Sequence, residues 1–301
     1  MTSLRWAGLL RQLGHFVNIA TEWRDQATDV LITVHAVKSA ASVLAASCDR
    51  PDIRIVTLLA GTDIYPKFEP DETTSAALKR ADALIALQPR ALNLLPEKLR
   101  EKSYTLVQSA TAVTAPKHKR FTAAVIAHLR PIKQQHIAIQ ATAMVAPEID
   151  MQLILAGSQL DDDYGQSIKA TVANTKRTKW VGALPRRETK ELLASSHACI
   201  LPSEVEGGAN VISEAIAAGT PILCSAVSGN LGLLSDDWPG MFPVGDASAL
   251  AKLLERMVTE KPFLDELCRR TQQLQSMVDP ATERETWGGI LRTLSEVRPN
   301  D

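Results

Sequence analysis

The chain has 301 residues, with 45% hydrophobic and 22% charged residues, an ordinary balance for globular domains, and its length fits two domains of about 150 residues. A net charge of −1 and an aromatic content of 4% exclude a stacking platform for single-stranded nucleic acid and leave no charge excess for a nucleic-acid or membrane surface. The four cysteines, Cys48, Cys199, Cys224 and Cys268, are isolated; without a Cys-x-x-Cys, neither a metal cluster nor a disulfide framework is expected, and a cytoplasmic location is.

In chain order, Leu4, Ala7, Leu10 and Leu13 fall on one face and predict a helix over 3–14. Gly14 ends it, and a strand is expected over 16–20. A strand over 29–34 runs into His35-Ala36-Val37-Lys38-Ser39-Ala40. Polar clusters at the carboxyl ends of parallel strands are where α/β sheets bind ligands. His35, Lys38 and Ser39 are therefore candidates for holding an anion, and a satisfied capping histidine is the plainer reading. The next strand, 53–59, leads into Gly61, Thr62 and Asp63, which read either as a second ligand-facing cluster or as a turn closed by an Asx bond. Strands over 83–87 and 104–107 alternate with helices, so the first half is α/β with a largely parallel sheet. Residues 110–121 lack periodicity and read as a linker. The first 120 residues carry 16 basic against 12 acidic side chains and the rest 17 against 22, a split that suits an anionic ligand on the first half.

The second half opens with a strand over 122–127, followed by His128-Leu129-Arg130-Pro131-Ile132-Lys133 and an amphipathic helix through Ile137, Ala141 and Val145. Strands are expected over 152–156 and 179–182; Asp161-Asp162-Asp163 reads as a helix start and not a metal site. The stretch 201–220 then organises the half. An apolar run over 197–201 ends at Pro202-Ser203. Gly207-Gly208 leave the backbone bare, a helix follows from Asn210, and Gly219 stops it. Such a turn gathers free N–H groups and the positive end of the helix dipole, which suits a diphosphate. Glu206 and Glu214, eight positions apart, are placed to accept hydrogen bonds from sugar hydroxyls. On these residues alone, a plain strand-to-helix turn with two solvated glutamates reads equally well. A strand over 221–225, the Gly229-Asn230 turn and three helices complete the chain, with Trp287 as a packing anchor.

Glu206-x7-Glu214, after Pro202-Ser203 and before Ala218-Gly219-Thr220-Pro221, resembles the donor-site signature of family 4 of the retaining glycosyltransferases. That resemblance implies the α/β GT-B fold, two Rossmann-like domains facing a cleft. The finer pattern is Glu206-Gly207-Gly208-Ala209-Asn210-Val211-Ile212-Ser213-Glu214-Ala215, Gly229-Asn230-Leu231-Gly232-Leu233-Leu234 and Pro243-Val244-Gly245-Asp246. It resembles the SenB-like selenosugar synthases of selenoneine biosynthesis. The expected domains are an acceptor-side unit at 1–115, a nucleotide-sugar unit at 116–280, and a last helix at 281–301 crossing back onto the first. Glu206 and Lys133 are implied as catalytic. His128, Arg130, Gly207, Gly208, Asn210 and Glu214 are implied on the donor, and His35, Lys38, Ser39, Gly61, Thr62 and Asp63 on the acceptor side. Family 4 enzymes usually carry Arg where His128 stands, so whether His128 or Arg130 meets phosphate stays open.

The resemblance further implies a UDP-sugar donor, N-acetylglucosamine foremost, and selenophosphate as acceptor. No metal, cofactor, nucleic acid or integral membrane contact is expected. The GT-B pattern begins with a strand and a glycine loop ahead of the first helix, so either a start site placed too far downstream or a truncated chain is expected. The alternatives are a family 4 enzyme with another acceptor and a nucleotide-sugar-binding protein without turnover.

Overall fold

A computed structural model describes residues 2–296; of the expected last segment, residues 297–301 lie outside the described part. The chain divides into two compact units, one made of Met1–Ser109 with Pro280–Asp301 and the other of Ala110–Asp279. Both are α/β with wholly parallel sheets. Among the described residues no helix is long and apolar enough to cross a membrane.

The first unit holds β1 (Val30–Val34), β2 (Arg54–Leu59), β3 (Ala83–Ala86) and β4 (Ser103–Thr105), hydrogen-bonded in the order β1-β2-β3-β4. Its strands show the period of two that a sheet covered on both faces requires. Ile55, Leu59 and Leu84 pack with Ala40 and Val43 of the helix Ala36–Asp49. Val56, Leu58 and Ile85 point the other way, onto Trp6, Leu10, Trp287 and Ile290. That second layer joins the helices Thr2–Gln12 and Pro280–Glu296. Trp6 and Trp287 meet edge to face at 4.8 Å. Beside them Glu283, 1% exposed, accepts from Trp6 Nε1 at 2.7 Å and from Ser109 N at 2.8 Å and Oγ at 2.5 Å, with Arg5 Nε 3.3 Å away.

The strand expected over 16–20 does not form. Phe16 and Ile19 face solvent and only Val17 packs on the core, too little apolar surface to lay a strand on the sheet. It is tied down by side chains instead: Arg11 donates to the Val17 carbonyl, and Trp23 bonds Ser42 and Asp49.

The second unit holds β5 (Phe121–Ile126), β6 (Met151–Ala156), β7 (Thr178–Trp180), β8 (Ala198–Leu201), β9 (Ile222–Ser225) and β10 (Met241–Phe242). Their spatial order is β10-β9-β8-β5-β6-β7. Winding therefore reverses between β5 and β8, which pair at Ala123↔Ala198 and Ala124↔Cys199. β8 and β9 are buried along their whole length, as unbroken apolar runs must be in a doubly covered parallel sheet. Burial pushes the thiols of Cys199 and Cys224 far up. Asp161 and Asp246 cap helices by accepting from Tyr164 N and Ala249 N.

Candidate functional site

In an open α/β sheet the crevice lies where the winding reverses, outside the carboxyl ends of the two strands concerned. In the second unit those ends carry residues 127–133 after β5 and 202–208 after β8. One main-chain bond joins the two loops, from Glu204 N to Ile132 O at 2.9 Å. It brings Lys133 Nζ to 2.5 Å from Glu206 Oε1. Glu206 is 9% exposed, and the same Oε1 accepts from the Ser203 hydroxyl at 2.7 Å. Its Oε2 accepts no hydrogen bond among the described residues.

Gly207 and Gly208 follow. Gly208 has φ +132°, a conformation glycine adopts without strain. The helix Asn210–Ala217 then starts with Ala209 at its N-cap and no side-chain cap; Ile212 N–H turns back to the Ala209 carbonyl at 3.0 Å, and the N–H groups of Asn210 and Val211 face solvent or ligand. Asn210 is exposed at that start, and Glu214 sits half-buried one turn on. Lys190, on the helix Arg186–Ser195, is close enough for its charge to feel Glu214. Burial first, then Arg186, holds the Lys190 ammonium below the usual lysine range, and Glu214 acts against them.

His128 and Arg130 are both exposed. Nδ1 of His128 accepts the Ser158 N–H at 3.1 Å, which leaves the proton of the neutral ring on Nε2 and makes that atom a donor. Gln135, fully buried, grips the same loop from below by donating to the His128 carbonyl at 2.9 Å. Arg130 forms no part of the Lys133–Glu206–Ser203 cluster. Among the described residues no group of three or more His, Cys, Asp or Glu is placed to hold a metal ion.

In the first unit, His35, Thr62 and Asp63 come together at the carboxyl ends of β1 and β2. His35 takes φ +78° between β1 and the helix Ala36–Asp49. Its Nδ1 lies 2.7 Å from Asp63 Oδ1, and its Nε2 lies 3.1 Å from the Thr62 hydroxyl. Asp63 is 7% exposed and accepts from the N–H groups of Ala36, Val37 and Ala60, so its carboxylate closes the two loops. Gly61 opens the short helix Gly61–Ile64. Ser39 donates its hydroxyl to the His35 carbonyl at 2.9 Å, and Lys38 is exposed.

Three members of the second-unit cluster lay outside the sequence reading of the site. Ser203 and Asn230 belonged to the quoted motifs but were given no role; Ser225 stands too far along the chain for any local spacing to show it. Ser225 donates to the Ser203 carbonyl at 2.5 Å, and Asn230 donates to the Ser225 carbonyl at 2.9 Å. Gly229 lies so close to the loop that a Cβ there would sit 2.0 Å from the Glu206 carbonyl oxygen. Together the second unit offers one cation, one carboxylate with an open oxygen, one histidine N–H and an uncapped helix start. That set is suited to an anionic group next to a hydroxylated one.

The family described as glycosyl transferases group 1 matches residues 108–274. Among solved structures the chain is similar to HepE from Anabaena in complex with UDP and glucose, with a TM-score of 0.73 and 17% identity over 89% of this chain and 78% of that one. It is similar to a sucrose-phosphate synthase from Thermosynechococcus elongatus, at TM-score 0.75 and 19% identity, covering 90% and 74%. It is also similar to a UDP-forming α,α-trehalose-phosphate synthase from Burkholderia xenovorans in complex with glucose-6-phosphate, at TM-score 0.72 and 12% identity, covering 90% and 74%. These likenesses fix the fold as the α/β GT-B architecture of two Rossmann-like domains.

Proposed function

Since the chain belongs to the group 1 glycosyl transferases, we propose that it moves N-acetylglucosamine from its UDP-sugar to selenophosphate. Selenium attacks C1 of the sugar as the C1–O bond to UDP breaks. Water then cleaves the P–Se bond, releasing phosphate and a 1-selenosugar. The observation that carries the donor half is the meeting of Lys133, Glu206 and Ser203 at the reversal point of the sheet. The selenosugar specificity is supported by the SenB-like runs at 206–215 and 229–234, and the UDP-sugar by the UDP and glucose bound to HepE.

Breaking the sugar–diphosphate bond builds negative charge on the leaving group. Lys133, His128 through Nε2–H and the amides after Gly207-Gly208 face that charge with preset dipoles. Glu206 receives a sugar hydroxyl on Oε2, and Glu214 the ribose. On the acceptor side, His35 and Lys38 attract the selenophosphate anion. Selenium is polarisable and selenophosphate already ionised, so a strong general base is less needed than for a hydroxyl.

One observation favours a second reading, transfer to a hydroxyl acceptor. His35 has Nδ1 2.7 Å from the buried Asp63 carboxylate, without a hydrogen bond between them, and Nε2 3.1 Å from the Thr62 hydroxyl, a placement from which it can serve as a general base.

Mass spectrometry of the protein with UDP-N-acetylglucosamine and selenophosphate tests the proposal. A selenosugar together with UDP is the expected result. UDP release only when sugar or glycerol hydroxyls are supplied selects the second reading, and binding of UDP with no consumption of donor under any acceptor overturns transfer.

A further inference from the structure

We infer that Ser203 is a positioning residue for Glu206, braced from behind by Ser225 and Asn230; this rests on the donor-site reading above. Glu206 Oε1 takes two donors, the Lys133 ammonium and the Ser203 hydroxyl. They differ in what a bound donor does to them. Lys133 is a flexible point charge, one-quarter exposed, and a diphosphate competes for it. Ser203 is 3% exposed, and its hydroxyl has a single proton, already directed at Oε1. When the diphosphate draws Lys133 away, Ser203 is the bond that keeps the carboxylate plane in place and Oε2 turned to the sugar.

The bracing is continuous. Ser225, at the end of β9, donates to the Ser203 carbonyl, and the Asn230 side-chain amide donates to the Ser225 carbonyl. Asn230 is fully buried in the helix Ser228–Leu234. The adjoining Gly229 lies against the Glu206 main chain, so loop and side chain are gripped from the same helix. A satisfied serine needs no such support; a carboxylate that must hold one orientation while its cation is shared does.

The test is calorimetric titration with UDP, UDP-glucose and UDP-N-acetylglucosamine, on the full chain and on Ser203→Ala, Ser203→Thr, Ser225→Ala and Glu206→Ala. Ser203→Ala shifts the ratio of sugar-nucleotide to UDP affinity by about tenfold against the sugar nucleotide, the lower end for one hydrogen bond to a carboxylate. UDP affinity stays as in the wild type. Ser203→Thr restores the ratio, and Ser225→Ala shifts it in the same direction by less. A ratio unmoved in Ser203→Ala, or UDP affinity falling as much as that of the sugar nucleotide, overturns the inference. A ratio that even Glu206→Ala leaves unmoved overturns the donor-site reading itself, because Glu206 then does not touch the sugar.

Discussion

Lys133 and Glu206 are the pair on which the donor site turns, and their roles separate under mutation. Lys133→Ala should lower kcat by roughly 10²–10³-fold, the loss typical of removing one preset charge partner of a leaving group. The thermal midpoint should move little, because Ser203 still satisfies Glu206; steady-state kinetics beside a melting curve checks both. His128 makes a finer prediction. With Nδ1 accepting from Ser158 N–H, its ¹⁵N spectrum at neutral pH should show a protonated Nε2 and a bare Nδ1; the reverse pattern would remove it as a donor to phosphate. A glycine turn, a helix start and two spaced carboxylates leave a local trace that marked Glu206 and Glu214, whereas Lys133 was marked only by the resemblance to the family 4 pattern. No role fell to Ser225, or to Asn230 although that residue stood in a quoted run. A buried serine and asparagine are ordinary residue types, and what makes them matter is which carbonyl they meet across the sheet.

At the scale of elements, the layer of helices Thr2–Gln12 and Pro280–Glu296 hangs on one buried acid. Glu283→Ala strands the Trp6 indole N–H and both Ser109 donors and leaves Arg5 beside an apolar gap. It should lower the unfolding free energy by about 3 kcal/mol, read as a reduced urea midpoint. Nothing in the sequence singles out Glu283 from the other acids of its helix, because its burial is set by Trp6 and Ser109, far away in the chain. The failed strand at 16–20 is the converse case. It is an apolar run of strand length, but Phe16 and Ile19 have no layer to cover, and pattern alone does not supply one.

His197, next to β8, accepts Thr122 N–H on Nδ1. Burial first, then Lys117 and His118, holds it below the usual histidine range. The unfolded chain therefore binds a proton more readily than the folded one, so stability falls as pH drops below the unfolded value of ~6.5. His197→Asn should flatten that fall in urea titrations run above and below this pH; an unchanged slope would place the acid sensitivity elsewhere.

Across the whole molecule, the alternation of apolar runs with amphipathic stretches made two parallel α/β units legible, since each period is local. Strand order is not local. The reversal between β5 and β8 places residues 133 and 206 side by side, and it emerges only when connections are wound on both sides of β5. A ligand held at that reversal stabilises the folded chain by mass action. UDP at a hundredfold excess over its Kd should add about 2.7 kcal/mol, visible as a raised melting temperature. Glu214→Ala should weaken UDP binding by about 1–3 kcal/mol through lost ribose hydrogen bonds and shrink that rise at equal UDP concentration; a full rise would move the ribose elsewhere.

The cysteines give this architecture a built-in clock. Cys48 and Cys268 are exposed, while Cys199 and Cys224 lie inside the sheet on β8 and β9, the strands that lead into the site. A thiol reagent applied to the folded protein should take the first two in a fast phase. The second pair reacts only when the strands part. The rate of that slow phase, followed with and without UDP, times the breathing of the strands beneath Glu206 with no cysteine introduced into the chain.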